Sequence, residues 1–218
     1  MSHHLVNRIA THPKLHAVRG HEHIQRTWDP QLERWCAKIL PGEYYVTTGD
    51  EGITTVLGSC ISACIRDPQL RIGGMNHFML PEDTSNGKSA WLDAEAGLST
   101  RYGSFAMESL INDLMKLGAR RERMEVKLFG GGRILASMTD VGERNIHFAR
   151  NWLMAEHLHV AGGDVGDTVP RRVIYLPSTG KVLVKHLRSL ESRAIASREQ
   201  QYLTSFKQKP VENDVELF

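Results

Sequence analysis

The segment Gly58 to Pro81, GSCISACIRDPQLRIGGMNHFMLP, limits what this chain can fold into more than any other. Two runs rich in apolar and β-branched residues flank Asp67-Pro68-Gln69-Leu70, where Asp at the first position and Pro at the second mark a type I turn. Closing the hairpin there, with Arg66 opposite Arg71, pairs Cys64 with Gly73, Ser62 with Met75 and Cys60 with His77. Directly opposed residues share a face, with Cβ atoms about 4.5–5.5 Å apart. The opposite face is then Ile61, Ala63, Ile65, Ile72, Gly74, Phe78 and Leu80, a core face. A one-residue slip would turn that set outward and separate Cys60 from His77. The apolar pattern and the Cys–His pair therefore favour the same alternation of faces.

A cysteine beside a histidine is the pattern of thiol-dependent acyl transfer. The imidazole takes the thiol proton, and the imidazolium stabilises the thiolate that attacks a carbonyl. The histidine needs a third group to hold one tautomer. Thr54 or Thr55, just before Gly58, can supply a hydroxyl or a carbonyl. Gly58 and Ser59 leave the backbone ahead of Cys60 uncrowded, so that N–H groups can point at a developing oxyanion. Cys36 and Cys64 read as small buried hydrophobes. His147, His157, His159 and His186 read as structural.

Around the hairpin the pattern alternates between strand and helix. Strands are predicted over Tyr44–Thr48, Ile53–Leu57, Cys60–Arg66, Ile72–Leu80 and Met124–Phe129 and from Val160, with a hairpin of Arg172–Leu176 and Lys181–His186 across Pro177-Ser178-Thr179-Gly180. Amphipathic helices are predicted over Phe105–Leu117 and Asn145–His157. Asp29-Pro30 has the form of a helix start, and Trp28, Leu32, Trp35, Cys36 and Ile39 would share one face of a short helix ending at Pro41. The expected organisation is an N-terminal extension over 1–37 (a mobile arm plus that helix), a catalytic domain over 38–187, and a charged tail over 188–218, frayed and then disordered. The order of elements gives a single α+β domain with a mainly antiparallel sheet and covering helices.

The arm holds six of the eleven histidines, but without partner cysteines or a fixed helical spacing they do not make a metal site. Gly130-Gly131-Gly132 lacks the Gly-Lys-Ser/Thr of a phosphate-binding loop, so a close-packed strand end is expected instead. A net charge of +2 gives no argument for nucleic acid or a membrane surface. No apolar run approaches the roughly 18 residues of a membrane span. The start of the chain lacks the apolar core of a secretory signal. Three cysteines are too few for a disulfide framework. A cytoplasmic protein with free thiols is expected.

LPGEYYVT at Leu40–Thr47, TTVLGSCISACIRDP at Thr54–Pro68 and GGMNHFMLP at Gly73–Pro81 closely resemble the CheD family of chemoreceptor glutamine deamidases. The likeness continues through FGGG at Phe129–Gly132, RNI at Arg144–Ile146 and STGKVLV at Ser178–Val184, covering roughly Lys38 to Lys185. It implies a three-layer α/β/β fold similar to the catalytic domain of the cytotoxic necrotizing factor toxins. It implies a Cys–His–Thr triad of Cys60, His77 and Thr54, the threonine six residues before the nucleophile, and no metal or organic cofactor. The implied activity is hydrolysis of receptor glutamine side chains to glutamate with release of ammonia. The implied partners are the cytoplasmic helices of chemoreceptors and a CheC-type phosphatase, with no nucleic acid and no membrane insertion.

Two rivals share these residues. A related peptidase or transglutaminase-like thiol hydrolase would cleave or cross-link chains rather than release ammonia alone. A non-catalytic adaptor would use the same fold to bind chemoreceptors or a CheC-type phosphatase without turnover.

Overall fold

The computed structural model describes residues 13–80, 94–134 and 141–208. Strands β5 (Ile61–Asp67) and β6 (Ile72–Asn76) form the predicted hairpin, but two residues out of the predicted register: Cys64 pairs with Met75 and Arg66 with Gly73. The turn explains the shift. Asp67 is held by the N–H groups of Gln69 and Leu70 and itself pairs with Ile72, while Arg71 adopts φ +58° to close the longer loop. Because the shift is an even number, every side chain keeps its predicted face.

The hairpin lies in a five-stranded sheet ordered β3-β6-β5-β7-β8, with β3 (Tyr44–Thr47), β7 (Glu125–Gly130) and β8 (Val160–Val165). One face packs beneath α1 (Ala94–Lys116) and α2 (Val141–Ala155), where Ile61, Ala63, Ile65 and Phe78 meet Leu110, Leu114, Ala149 and Leu153. The other face looks onto a second sheet, ordered β1-β2-β4-β9-β10: β1 (Gln25–Asp29), β2 (Arg34–Lys38), β4 (Gly52–Leu57), β9 (Arg171–Leu176) and β10 (Lys181–His186). Between the sheets Cys60, Cys64, Met75 and Met79 pack with Ile53, Leu57, Val173 and Tyr175. Among the described strands only the β2–β4 and β7–β8 pairs are parallel. The molecule is thus α+β, layered helices on sheet on sheet, as expected. A third helix, α3 (Ser189–Gln208), closes one end of the inter-sheet core with Leu203.

The structure corrects the reading of the first 40 residues. The segment around Trp28–Ile39 is a β-hairpin and not a helix. Asp29 Oδ1 accepts from the N–H groups of Gln31 and Leu32, as a helix cap would, but Glu33 at φ +51° turns the chain back, and Trp28 pairs with Trp35. The two indoles meet edge to face at 6.0 Å, a contact that adjacent strands supply and that outweighs the capping signal. The predicted mobile arm is packed in its second half, where His21 and Ile24 are buried. Its first 12 residues, and residues 81–93, 135–140 and 209–218, lie outside the described residues.

Candidate active site

β4 belongs to one sheet and β5 to the other, and Gly58-Ser59-Cys60 carries the chain between them. The site is built at this crossover. Thr55, on β4, donates its single hydroxyl proton to the Ile39 carbonyl at 2.8 Å. Its oxygen therefore accepts from His77 Nδ1–H, 2.7 Å away. That contact fixes the tautomer and leaves His77 Nε2 unprotonated. The backbone of His77 is clamped as well, donating to the Glu43 carbonyl at 2.9 Å and accepting from the Gly42 N–H at 2.7 Å. Burial holds the imidazole neutral, its pKa lowered to about 3, and Nε2 has no hydrogen-bond partner among the described residues.

Cys60 is fully buried. Its Sγ, a ring nitrogen of His77 and a carboxylate oxygen of Glu199 lie within 4.8 Å of one another. Three successive N–H groups converge on that carboxylate: Gly58 at 2.8 Å, Ser59 at 2.8 Å and Cys60 at 3.3 Å. The Ser59 hydroxyl donates to it too. The cradle is held in place from behind. The Gly58 carbonyl accepts from Gly132 N–H at 2.6 Å, and that of Cys60 from Gly131 N–H at 2.7 Å. The Ser59 carbonyl accepts from Asn145 Nδ2 at 2.7 Å. A carbonyl and the next N–H belong to one peptide plane and point in opposite directions. Fixing the Gly58 and Ser59 carbonyls on one side therefore aims the Ser59 and Cys60 N–H groups at the other.

Cys60, His77 and Glu199 are the types that ligate a metal, but the Glu199 carboxylate is already satisfied by four donors. The arrangement is that of an anion in a nest of N–H groups. Burial, and after it the Glu199 carboxylate, push the Cys60 thiol well above its ordinary pKa. A cavity of about 220 Å³ is lined by His77 and Glu199, with Lys38, Arg172 and Arg198 also at its wall.

A neutral imidazole with a free Nε2, a cysteine beside it and a backbone anion cradle are the parts of a thiol acyl-transfer centre. The family described as CheD chemotactic sensory transduction matches residues 79–186. A protein of Halorhodospira halophila named "Probable chemoreceptor glutamine deamidase CheD" is 48% identical over 212 residues, 97% of each chain. The chain belongs to the CheD family. Proteins of the same name are similar in Hydrogenovibrio crunogenus, 49% identical over 195 residues (89% of this chain, all of the relative), and in Janthinobacterium sp. (strain Marseille), 51% identical over 193 residues (88% and 93%). An alignment of 212 residues in a chain of 218 also takes in α3.

Against this CheD frame the predicted site residues divide. Cys60 and His77 come together, and Gly58 and Ser59 form the cradle. Thr54 does not reach His77, because neighbours on a strand point to opposite faces. Its hydroxyl donates to the Val173 carbonyl at 3.0 Å, and Thr55 takes the contact with the imidazole. Cys64 and Cys36 are buried, as expected, with the Cys36 thiol pushed up to about 11 by burial. Sequence reasoning missed Asn145 and Glu199. Asn145 is fully buried on α2, where an amide signals a hydrogen-bonding task. Glu199 sits midway between Ile195 and Leu203, so one face of α3 reads apolar, acidic, apolar at four-residue spacing, and all three are buried.

Proposed function

We propose that this chain is a protein-glutamine deamidase acting on chemoreceptors in the cytoplasm. The N–H cradle at Cys60 beside the free Nε2 of His77 carries this reading. A glutamine amide oxygen takes the cradle and Cys60 Sγ faces the amide carbon. Nε2 accepts the thiol proton as sulfur attacks, and the Ser59 and Cys60 N–H groups stabilise the oxyanion. The tetrahedral intermediate collapses with loss of ammonia, which takes its proton from His77, leaving a thioester. Water, deprotonated by His77, then hydrolyses the thioester to glutamate and the free thiol. Thr55 holds the imidazole in the tautomer that both steps need. The names of the relatives support the receptor glutamine as substrate. Association with a CheC-type phosphatase belongs to the same proposal as a second partner.

The test is ammonia release and mass change on a receptor cytoplasmic fragment. Wild type is expected to add about one dalton per modified glutamine, with Cys60→Ala and His77→Ala inactive. Receptor binding with no mass change by wild type would reject the enzyme and favour the adaptor.

A further inference from the structure

We propose that α3 lies in its own chain's substrate groove as a tethered product mimic, so that a substrate helix must displace it to be deamidated. The inference rests on the deamidase reading and adds how the substrate is held.

The product of glutamine deamidation is a glutamate side chain, and Glu199 is a glutamate on a helix whose carboxylate fills the oxyanion cradle. Gly58 and Ser59 donate to it at 2.8 Å, and Cys60 at 3.3 Å. Gly58 is shaped around it, since a Cβ there would stand 2.8 Å from Glu199 Oε2. The helix is seated on either side of the carboxylate. Ile195, one turn before, lines the cavity beside His77, and Leu203, one turn after, is buried in the inter-sheet core. Tyr202 meets the Tyr102 hydroxyl of α1. The next two side chains, Gln200 and Gln201, face solvent. The groove therefore takes an intact α-helix and admits one side chain at a time, with apolar residues four positions before and after it. A protein substrate that fits has a glutamine so flanked on a helix, and α3 competes with it from within the chain.

Glu199→Gln places an amide of the same size in the site, its oxygen able to keep one pair of donors, Gly58 and Cys60 N–H or the two of Ser59, while its NH2 gives up the other. In the full-length variant, the introduced amide is expected to revert to a carboxylate, read as about one dalton on the peptide carrying it, with ammonia released in equal amount. The double variant Glu199→Gln/Cys60→Ala is expected to keep the introduced amide, and Gln200 and Gln201 are expected to stay unmodified in both. If the amide persists in a Glu199→Gln chain that deamidates a receptor fragment, α3 does not sit as a substrate and the inference falls while the deamidase stands. If Glu199→Gln leaves its own amide intact and neither it nor wild type modifies the fragment, both readings fall. A second measurement does not depend on turnover. Iodoacetamide labelling of Cys60, followed by peptide mapping, is expected to be at least about tenfold faster in Glu199→Ala than in wild type. Equal rates would overturn the inference.

Discussion

Asn145 holds the Ser59 carbonyl from behind, its Nδ2 donating at 2.7 Å, while its Oδ1 accepts from the Leu80 N–H at 2.9 Å. One side chain on α2 thus ties the segment carrying the nucleophile to the segment carrying the histidine, three residues after His77. Asn145→Ala is expected to lower kcat by about tenfold to a hundredfold with little change in KM, because the Cys60 N–H loses its fixed aim. It is also expected to lower stability by about 1–3 kcal/mol, since the buried Leu80 N–H loses its acceptor. Steady-state ammonia release and a thermal melt separate the two effects. An unchanged kcat would remove Asn145 from the positioning of the cradle.

Thr55 and Thr54 make a paired comparison. Thr55→Val keeps the shape and removes the acceptor for His77 Nδ1–H, so a loss of about tenfold or more in kcat is expected. Thr54→Val breaks only its bond to the Val173 carbonyl, and its effect should be several-fold smaller. A larger effect at Thr54 would return the triad role to the position expected from family spacing.

Gly58 is a steric requirement. A Cβ there would lie 2.1 Å from Ile134 Cδ1, besides its approach to the Glu199 carboxylate. Gly58→Ala is expected to raise KM for receptor fragments and to cost about 1–3 kcal/mol of stability through overpacking. Steady-state kinetics and a denaturant titration would check the two effects, and wild-type KM would show that the cradle has room to spare.

His77 also makes stability depend on pH. Its folded pKa of about 3 lies below the ordinary 6.5, so between these values the unfolded chain takes up a proton that the folded chain refuses. Stability should fall as pH drops from about 6.5 toward 3, by up to ~1.4 kcal/mol per pH unit. Buried His21, whose pKa is also lowered by burial, adds to the slope. Asp67 acts lower down. Arg123 and backbone N–H groups hold its carboxyl at about 2, and the stability that this contributes is lost as pH falls from about 3.8 to 2. Urea titrations of wild type and His77→Gln from pH 7 to 4 should give a shallower slope for the variant. Parallel slopes would mean that His77 is protonated in the folded chain.

The hairpin and its two faces were legible because strand alternation depends only on parity, which a two-residue register shift preserves. That is why Cys60 and His77 could be brought together despite the wrong pairing. The choice between Thr54 and Thr55 was not legible from spacing. It depends on which face of β4 looks across the inter-sheet space, a long-range packing fact. The hairpin of Trp28 and Trp35 was hidden because Asp29-Pro30 serves a turn as well as a helix start. Glu199 was hidden for a different reason. A charged residue in a polar tail reads as solvated, and it is the N–H groups of Gly58, Ser59 and Cys60 with the Ser59 hydroxyl, some 140 positions earlier, that make its burial tolerable.

The crossover between sheets has a consequence for the chain as it is made. Thr55 stands on one sheet and His77 beside the other, so the imidazole acquires its tautomer only when the two sheets have closed on each other. A nascent chain exposing Cys60 before that closure has an ordinary thiol, unaided by an oriented base. The oriented base is therefore a property of the closed two-sheet core, and α3, which carries Glu199, follows every described strand in the chain.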